Sequence, residues 1–192
     1  MHPSILIVND DSIFSEGIKA LWEAMSELGN TIVVAPKFDN SGVGHAITIS
    51  RPLQFEKINL ESGLSGYAIN GTPADSVKFA MNVIMKKKPD ILVSGINPGS
   101  NVGQSIFYSG TVSAAREGSF RGVNSIAISL DSFSDSDYST SKTISKKIVQ
   151  YVLKNRLPSG TFLNVNIPNL SEGKIKGFKI TKQGSMYFSD SF

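Results

Sequence analysis

Two aspartates, Asp10 and Asp11, follow a short apolar run at residues 4–8, with Asn9 between them and the run. A continuous apolar run with β-branched residues is typical of a strand buried on both faces of a parallel sheet. Ligands of such sheets bind beyond the carboxyl ends of the strands, so both carboxylates should face a binding crevice. Neighbouring strand residues point to opposite faces, so the chain must turn here for both to reach one ion. Carboxylate oxygens suit Mg²⁺ or Mn²⁺; the alternative is one helix cap and one solvated side chain.

A second polar cluster follows the apolar run at residues 91–93. The segment 94–103 contains three glycines and two asparagines, so its backbone N–H groups can approach an anion closely. Ser109, Gly110 and Thr111 come next and directly precede a predicted helix. The free N–H groups and the dipole at a helix N-terminus favour phosphate binding. The plainer alternative is that Ser109 or Thr111 only caps the helix.

The elements that would position these residues alternate between strands and helices. Apolar runs predict strands at residues 4–8, 31–35, 91–93, 125–130 and 163–167. Apolar residues at helical spacing predict helices within residues 18–28, 72–88, 111–120 and 144–152. This alternation predicts an α/β fold, with a Rossmann-like, open and mostly parallel sheet that has helices on both faces. Its first strand–helix–strand unit should be right-handed.

One α/β domain should span residues 1–192, with three parts of different character. Its core covers about residues 1–130, and a loop rich in serine and aspartate follows at residues 131–141. Residues 142–192 should form the last helix and strands, leading toward a C-terminal extension that this chain lacks. Within the core, residues 37–60 form a long insertion, and an insertion of that length usually carries function.

The composition excludes several classes of protein and of site. The 192 residues include no cysteine and two histidines, which excludes disulfides, thiolate zinc sites, cysteine nucleophiles and multi-histidine metal centres. A formal net charge of +3 is too small to indicate a nucleic-acid partner. No apolar stretch is long enough to cross a membrane, and the start of the chain has no signal-peptide pattern. We therefore expect a cytoplasmic protein with neither nucleic acid nor membrane as a partner.

The sequence also lacks the common motifs for phosphate binding and nucleophilic catalysis. It contains no G-x-x-x-x-G-K-[ST] loop, no G-x-G-x-x-G after a strand, no G-x-S-x-G elbow and no H-E-x-x-H pair. A carboxylate-bound metal next to a phosphate cradle remains. That combination predicts metal-assisted hydrolysis or group transfer at phosphorus.

Together, the ordered motifs resemble the survival protein SurE family of metal-dependent nucleotidases. The matching stretches are IVNDD at 7–11, AP at 35–36, SG at 41–42, AIT at 46–48, RPL at 51–53, GTPAD at 71–75, SGINPGSNVG at 94–103 and YSGTV at 108–112. Several ordered motifs are much more specific than any one of them. The resemblance implies a SurE-like fold and a phosphatase that hydrolyses nucleoside 5′-monophosphates, with 3′-nucleotides and short polyphosphate as further substrates.

The resemblance also implies the residues of the site. One divalent cation per subunit, Mg²⁺ or Mn²⁺, would be held by Asp10, Asp11, Ser41 and Asn97. The phosphate contacts would fall on Asn101, Ser109, Gly110 and Thr111. Asp10 and Asp11 would be the catalytic residues, with Asp10 accepting a proton from the attacking water. Ser41 enters this set by resemblance alone.

Three positions near these motifs depart from the family pattern or need a separate interpretation. Family members usually have glycine after the acidic pair, where this chain has Ser12; a positive φ there would strain the backbone. An arginine often precedes the Ser-Gly pair, and Asn40 in its place removes a charged clamp on the substrate. His45 lies near the pocket by sequence, where we expect it to be hydrogen-bonded and structural rather than catalytic.

The end of the chain departs furthest from the family pattern. Residues 180–184, with Tyr187 and Asp190, resemble a segment after which family members continue, whereas this chain stops at Phe192. The portion beyond supplies part of the pocket wall and of the subunit contacts in the family. We therefore expect a homodimer or homotetramer, weakened if that portion is truly absent.

Two other classes of function fit parts of the sequence. A response-regulator receiver also has an acidic pair after its first strand. However, residues 52–60 contain no phosphoacceptor aspartate, and residues 129–131 contain no lysine. The second alternative is a nucleotide-binding module that has lost catalysis, which would bind nucleotides without releasing phosphate.

Overall fold

The computed structural model describes residues 2–133 and 137–185, which form alternating strands and helices. The strands are β1 (Ser4–Val8), β2 (Asn30–Pro36), β3 (Phe55–Asn59), β4 (Ser65–Ile69), β5 (Ile91–Pro98), β6 (Asn124–Asp131) and β7 (Leu163–Pro168). The helices are α1 (Glu16–Ser26), α2 (Pro73–Phe79), α3 (Ser105–Tyr108), α4 (Gly110–Phe120) and α5 (Ser139–Asn155). A π-helical turn, Ala80–Ile84, extends α2, and a 3₁₀ turn, Glu172–Lys174, follows β7.

Capping side chains set where the first two helices begin. Ser15 caps α1 by accepting a hydrogen bond from the N–H group of Ile18. Thr72 and Asp75 form a capping box at the start of α2, with Pro73 at the first helical position. The helix start that the sequence predicts at residue 72 is therefore confirmed.

The strands of the described residues form one sheet in the order β3-β4-β2-β1-β5-β6-β7. Every adjacent pair is parallel except β3 and β4. This confirms the predicted open, mostly parallel sheet. The sequence pattern predicts neither β3 nor β4. Strand β3 is mostly exposed and polar, and in β4 the small residues Gly66 and Ala68 interrupt the run of larger strand-forming residues.

Helices cover both faces of the sheet, as predicted. On one face, α1 and α5 pack together over a buried cluster that includes Ile5 and Ile7 of β1. On the other face, α2 and α4 pack together over a cluster that includes Leu6 and Val8. Successive residues of β1 therefore point into two different apolar clusters, which explains why the strand is apolar throughout.

The crossovers of the sheet differ in hand. From β5 to β6 and from β6 to β7 the chain moves in the same direction across the sheet. Helix α4 covers one face in the first connection, and α5 covers the opposite face in the second. The two crossovers must therefore have opposite hands. The β1–α1–β2 unit moves in the opposite direction across the sheet and has its helix on the opposite face to α4, so it has the same hand as β5–α4–β6. The β6–α5–β7 crossover is therefore the exception to the usual right-handed rule.

The last part of the described chain differs in detail from the prediction. Strand β6 runs through Asp131 and α5 begins at Ser139, so the connection is shorter than the predicted loop at residues 131–141. Residues 134–136 of that loop, and the predicted family positions Tyr187 and Asp190, lie outside the described residues. Within the described ranges, no helix is both long enough and apolar enough to cross a membrane.

Candidate active site

The strand order places a topological switch point between β1 and β5. From β1 the chain crosses to β2 on one side, whereas β5, β6 and β7 follow on the other side. A crevice for ligands opens where neighbouring connections diverge in this way. Asp10 lies just beyond β1, Asn97 lies near the carboxyl end of β5, and Ser109 caps α4 at the same edge. The sequence-predicted clusters therefore meet at one crevice.

The chain turns sharply after β1, as two neighbouring carboxylates at one site require. Asn9 is fully buried, and its Nδ2 donates to the carbonyl oxygen of Ser12 at 2.7 Å and to Ser15 Oγ at 2.9 Å. Ser12 has a φ of 115°, a region that favours glycine and strains other residues. The strain expected at Ser12 is therefore present, and Asn9 holds the turn in place.

The Asp10 carboxylate is buried against the start of helix α4. Its Oδ1 accepts a hydrogen bond from the Thr111 hydroxyl, and burial raises the pKa of Asp10 above its usual value. A Cβ atom on Gly110 would lie 2.7 Å from Asp10 Cβ and 2.9 Å from Asp10 Oδ2. Gly110 therefore has to be glycine for the helix terminus to approach this carboxylate.

The Asp11 carboxylate is partly buried and incompletely paired. Its Oδ2 is buried and has no hydrogen-bond partner among the described residues. Burial, followed by the negative charges of Asp10 and Asp39, raises the pKa of Asp11 to about 7. A buried carboxylate oxygen without a partner is costly, and such an oxygen is suited to binding a cation.

Thr111 connects the acidic pair to strand β5. Its hydroxyl donates to Asp10 Oδ1 and lies 3.3 Å from Asn97 Oδ1. Asn97 Nδ2 donates to the carbonyl oxygens of Pro98 and Gly99 at 3.1 and 2.7 Å. The amide nitrogen of Asn97 is thus turned to its own loop, which leaves the oxygen on the side of Asp10.

Ser41 lies in an exposed loop that touches the acidic pair through the neighbouring residue Asn40. Its hydroxyl and its N–H group both donate to Asp39 Oδ1, at 2.6 and 2.7 Å. The neighbouring Asn40 N–H group donates to the carbonyl oxygen of Asp10 at 2.8 Å, which attaches this loop to the acidic turn. Sequence reasoning missed Asp39; its spacing two residues before Ser41, typical of an Asx turn, could have indicated it.

The sequence predicts phosphate contacts at the N-terminus of α4 and at Asn101, which together are called the phosphate side of the crevice. Ser109 is the cap residue, because its Oγ accepts a hydrogen bond from the Val112 N–H group at 3.1 Å. The capping alternative thus applies to Ser109, whose hydroxyl proton is still free to face a ligand. Thr111 is not the cap, and its hydroxyl is occupied by Asp10. Gly110 and Thr111 are the first two helical residues, where N–H groups lack partners within the helix.

Asn101 is buried in the connection between β5 and α3. Its Nδ2 donates to Ser129 Oγ at 2.9 Å, and the same amide nitrogen has a second hydrogen for a ligand. Its main chain is held by Asn164 and Asn166 of β7. Sequence reasoning missed these two asparagines, since they come more than 60 residues later in the chain.

His45 is hydrogen-bonded away from the acidic pair. Its Nε2 lies 3.2 Å from Glu117 Oε2, and its ring stacks on Phe120 with centroids 5.9 Å apart. Glu117 also accepts a hydrogen bond from Arg121 Nε at 2.7 Å. The histidine therefore fastens the loop that contains Ser41 to helix α4, in line with the structural role expected for it.

The donor set fits a divalent cation. Carboxylate, amide and hydroxyl oxygens are hard ligands of the kind that Mg²⁺ and Mn²⁺ bind. The described residues contain no group of three or more His, Cys, Asp or Glu side chains that could hold a metal. The two carboxylates would therefore need neutral oxygens. Asn97 Oδ1 is linked to Asp10 through Thr111, whereas the Ser41 hydroxyl is bonded to Asp39 and stays a predicted ligand.

The sheet is doubly wound, and an acidic pair and a helix N-terminus meet at its switch point. Proteins of this α/β class bind their ligands at this edge of the sheet, where a helix N-terminus favours anions. The comparison with protein families is more specific. A family model described as "Survival protein SurE" matches residues 5–190. This chain belongs to that family.

Similar proteins agree with this assignment. A protein named 5′-nucleotidase SurE from Flavobacterium johnsoniae is 46% identical over 192 residues, which cover 99% of this chain and 74% of that protein. A second of the same name, from Protochlamydia amoebophila, is 43% identical over 98% of this chain and 73% of its own length. The crystal structure of the SurE protein from Aquifex aeolicus superposes with a TM-score of 0.88 at 46% identity, covering 95% of this chain and 73% of that one.

Proposed function

We propose that this protein is a metal-dependent 5′-nucleotidase, a phosphoric monoester hydrolase that converts nucleoside 5′-monophosphates to nucleosides and phosphate. Membership of the family, and relatives named 5′-nucleotidase SurE, support the reaction class. The observation that carries the mechanism is the hydrogen bond from Thr111 to Asp10. It joins the acidic pair to the N-terminus of α4, so that a cation site and a phosphate site are neighbours.

Asp10, Asp11, Ser41 and Asn97 would hold one Mg²⁺ or Mn²⁺ ion. A cation there would supply positive charge toward the phosphoryl oxygens and lower the pKa of a neighbouring water. Thr111 fixes the Asp10 carboxylate by its hydroxyl, and Asp39 fixes the Ser41 hydroxyl. Both contacts orient ligand oxygens before substrate binds, which lowers the cost of reorganisation.

The substrate phosphate would lie across the start of α4. Ser109 can donate its hydroxyl hydrogen, Gly110 can donate its N–H group, and Asn101 has one amide hydrogen left. We assign both the hydroxyl and the main-chain N–H group of Thr111 to Asp10, so a phosphate contact of this residue would need one of these two bonds to be released. Asp10, which lies against this helix terminus, is our choice for the group that accepts the proton of the attacking water.

The proposal extends to substrate range, assembly and location. We propose 3′-nucleotides and short polyphosphate as further substrates, because the helix terminus binds the phosphate itself. We also propose a homodimer or homotetramer in the cytoplasm. Phe178 and Ile180 are 67% and 95% exposed, and a subunit contact that covered them would remove apolar surface from water.

Phosphate release by the full chain tests the function. The substrates are AMP, GMP, 3′-AMP and tripolyphosphate, each with Mn²⁺, Mg²⁺ or EDTA. We expect release from AMP and GMP with either metal, none in EDTA, and recovery when Mn²⁺ is added in excess over EDTA. Release that EDTA leaves unchanged would contradict a metal-dependent mechanism.

The same assay separates hydrolysis from binding alone. A nucleotide-binding module without catalysis would bind AMP in calorimetry, with Mn²⁺ present, but would release no phosphate over hours. Release from tripolyphosphate but not from AMP would contradict the assignment of nucleotides as substrates while leaving the metal site intact.

A further inference from the structure

Two side chains on the edge strand β7 hold one residue of the phosphate side by its main chain. Asn166 Oδ1 accepts a hydrogen bond from the Asn101 N–H group at 2.7 Å. Asn166 Nδ2 and Asn164 Nδ2 donate to the Asn101 carbonyl oxygen at 3.1 and 2.8 Å. Both peptide groups of Asn101 are therefore bonded to β7.

These asparagines lie in register with the rest of the site. Asn97 of β5 pairs with Ser129 of β6, and Ser129 pairs with Asn166 of β7. The three residues form one row across three neighbouring strands. Ser129 also accepts the hydrogen bond from the Asn101 side chain at 2.9 Å. The row thus connects the candidate cation ligand Asn97 to the edge strand β7. Two of its members, Ser129 and Asn166, hydrogen-bond to Asn101.

The loop that contains Asn101 needs such support. Gly99 and Gly103 flank it with positive φ values of 94° and 55°, and glycine gives the backbone more freedom than other residues. Hydrogen bonds to both peptide groups of Asn101 restrict that freedom. A third contact, from Gln183 Nε2 to the Gly103 carbonyl oxygen at 3.0 Å, restrains the far end of the loop.

We propose that Asn164 and Asn166 are positioning residues that fix Asn101 for contact with the substrate phosphate. The inference rests on the proposed function, since it takes Asn101 as a phosphate ligand. It gives β7 a role in the chemistry although the strand lies two positions away from the switch point. The two residues act through Asn101 and do not touch the phosphate.

Two single variants of different severity test this role. Asn166→Ala removes two of the three hydrogen bonds to the Asn101 main chain, and Asn164→Ala removes one. Calorimetry with inorganic phosphate in the presence of Mn²⁺ measures the phosphate side, and titration with Mn²⁺ alone measures the cation side. We expect the Kd for phosphate to rise about tenfold in Asn166→Ala and about threefold in Asn164→Ala. The Kd for Mn²⁺ should stay within twofold of the wild-type value.

Amide hydrogen exchange supplies a readout that does not depend on activity. Peptides covering residues 97–103 should exchange faster in Asn166→Ala, whereas peptides covering β1 should not change. Asn155→Ala is the matched control, because the Asn155 side chain is exposed and donates within its own helix to the carbonyl oxygen of Tyr151. It should leave phosphate affinity and exchange as in the wild type.

Three results would overturn the inference. One is unchanged phosphate affinity in Asn166→Ala despite faster exchange of the loop. Another is an equal loss of Mn²⁺ and phosphate affinity, which indicates collapse of the whole site. The third is a wild-type protein that binds Mn²⁺ but no phosphate. A wild type that binds phosphate but hydrolyses no substrate overturns the proposed function instead. If Asn166→Ala does not fold, the phosphate affinity of Asn164→Ala still tests the inference.

Discussion

The two sides of the candidate active site, the acidic side at residues 9–12 and the phosphate side at Asn101 and the N-terminus of α4, are held in different ways. On the acidic side, Asn9 Oδ1 and Asp11 Oδ2 are buried without hydrogen-bond partners among the described residues, and Ser12 has a strained φ of 115°. On the phosphate side, Asn164 Oδ1 is also buried without a partner among the described residues, but the main chain of Asn101 makes three hydrogen bonds and Ser109 caps α4. The acidic side therefore combines an unpaired buried carboxylate oxygen with a strained backbone, whereas on the phosphate side the backbone is held by hydrogen bonds within the protein.

This difference indicates which ligand each side depends on. A buried oxygen without a partner persists when a ligand completes its coordination, so the acidic side should gain stability from a cation. A capped helix terminus presents the same N–H groups with or without an anion, so phosphate should stabilise the fold less.

The largest effect should come from neutralising both carboxylates of the acidic side. In Asp10→Asn with Asp11→Asn, we expect metal-dependent phosphate release to fall by at least about 10³-fold, since both anionic ligands of the cation are lost. The circular dichroism spectrum should stay that of the wild type, because asparagine has nearly the same shape. Glu61→Gln makes a carboxyl-to-amide change at an exposed position and should keep full activity. Full activity of the double variant would sink the mechanism.

Gly110→Ala should disturb the contact between the two sides. The added Cβ would lie within 2.9 Å of Asp10 Oδ2 and of Pro73 Cγ, so the helix terminus and the carboxylate must separate. We expect activity to fall by about tenfold or more and unfolding stability by about 2 kcal/mol. Gly173→Ala is the control, because nothing lies within 4 Å of its added Cβ. Equal activities of the two variants, assayed with saturating Mn²⁺, would show that the approach of α4 to Asp10 is not needed.

Local patterns in the sequence predict the elements next to the site well. Apolar runs identify β1 and β5 because both faces of these strands are buried, and polar residues directly after them mark the switch point. The capping residues at Thr72 and Ser109 mark helix starts because the cap is a short-range hydrogen bond. Motifs of this kind depend on neighbouring residues, so one sequence is enough to detect them.

The rest of the site depends on contacts that no local pattern records. The alternation of apolar and polar residues over 163–167 predicts β7, but this pattern does not indicate that Asn164 and Asn166 bond to Asn101. The apolar face of α5 predicts burial, yet it does not say on which face of the sheet the helix lies. The short strand β4 is missed because Gly66 has little strand propensity by itself.

The acidic side should also control how stability depends on pH without metal. The pKa of Asp11 is raised to about 7 from an unfolded value of 3.8, so the folded state keeps a proton that the unfolded state loses. Stability should therefore fall as the pH rises from about 4 to about 7, and then stay low. Because Asp11→Asn has no charge to bury, it should be about 2 kcal/mol more stable than the wild type at pH 8 in EDTA.

Urea unfolding at pH 4 and pH 8 in EDTA measures this effect. The variant and the wild type should differ little at pH 4, where Asp11 is protonated in both the folded protein and much of the unfolded chain. Excess Mn²⁺ at pH 8 should reverse the order, because the wild type binds the cation more tightly and gains more stability. A variant that is less stable than the wild type at pH 8 in EDTA would mean that the Asp11 carboxylate is stabilised without a cation.

The smallest effect should come from relieving the turn itself. Among the described residues, Ser12 and Arg156 are the non-glycine residues with positive φ, at 115° and 57°. Ser12→Gly removes the strain, but it also removes the weak hydrogen bond of 3.3 Å from the Phe14 N–H group to Ser12 Oγ. Glycine also raises the conformational entropy of the unfolded chain, which favours unfolding. We expect a net gain of about 1 kcal/mol in urea unfolding, with activity within twofold of the wild type. Arg156→Gly changes the same kind of backbone far from the site. If Ser12→Gly alone lowers Mn²⁺ affinity, then serine does more here than tolerate the turn, and the acidic side depends on its hydroxyl.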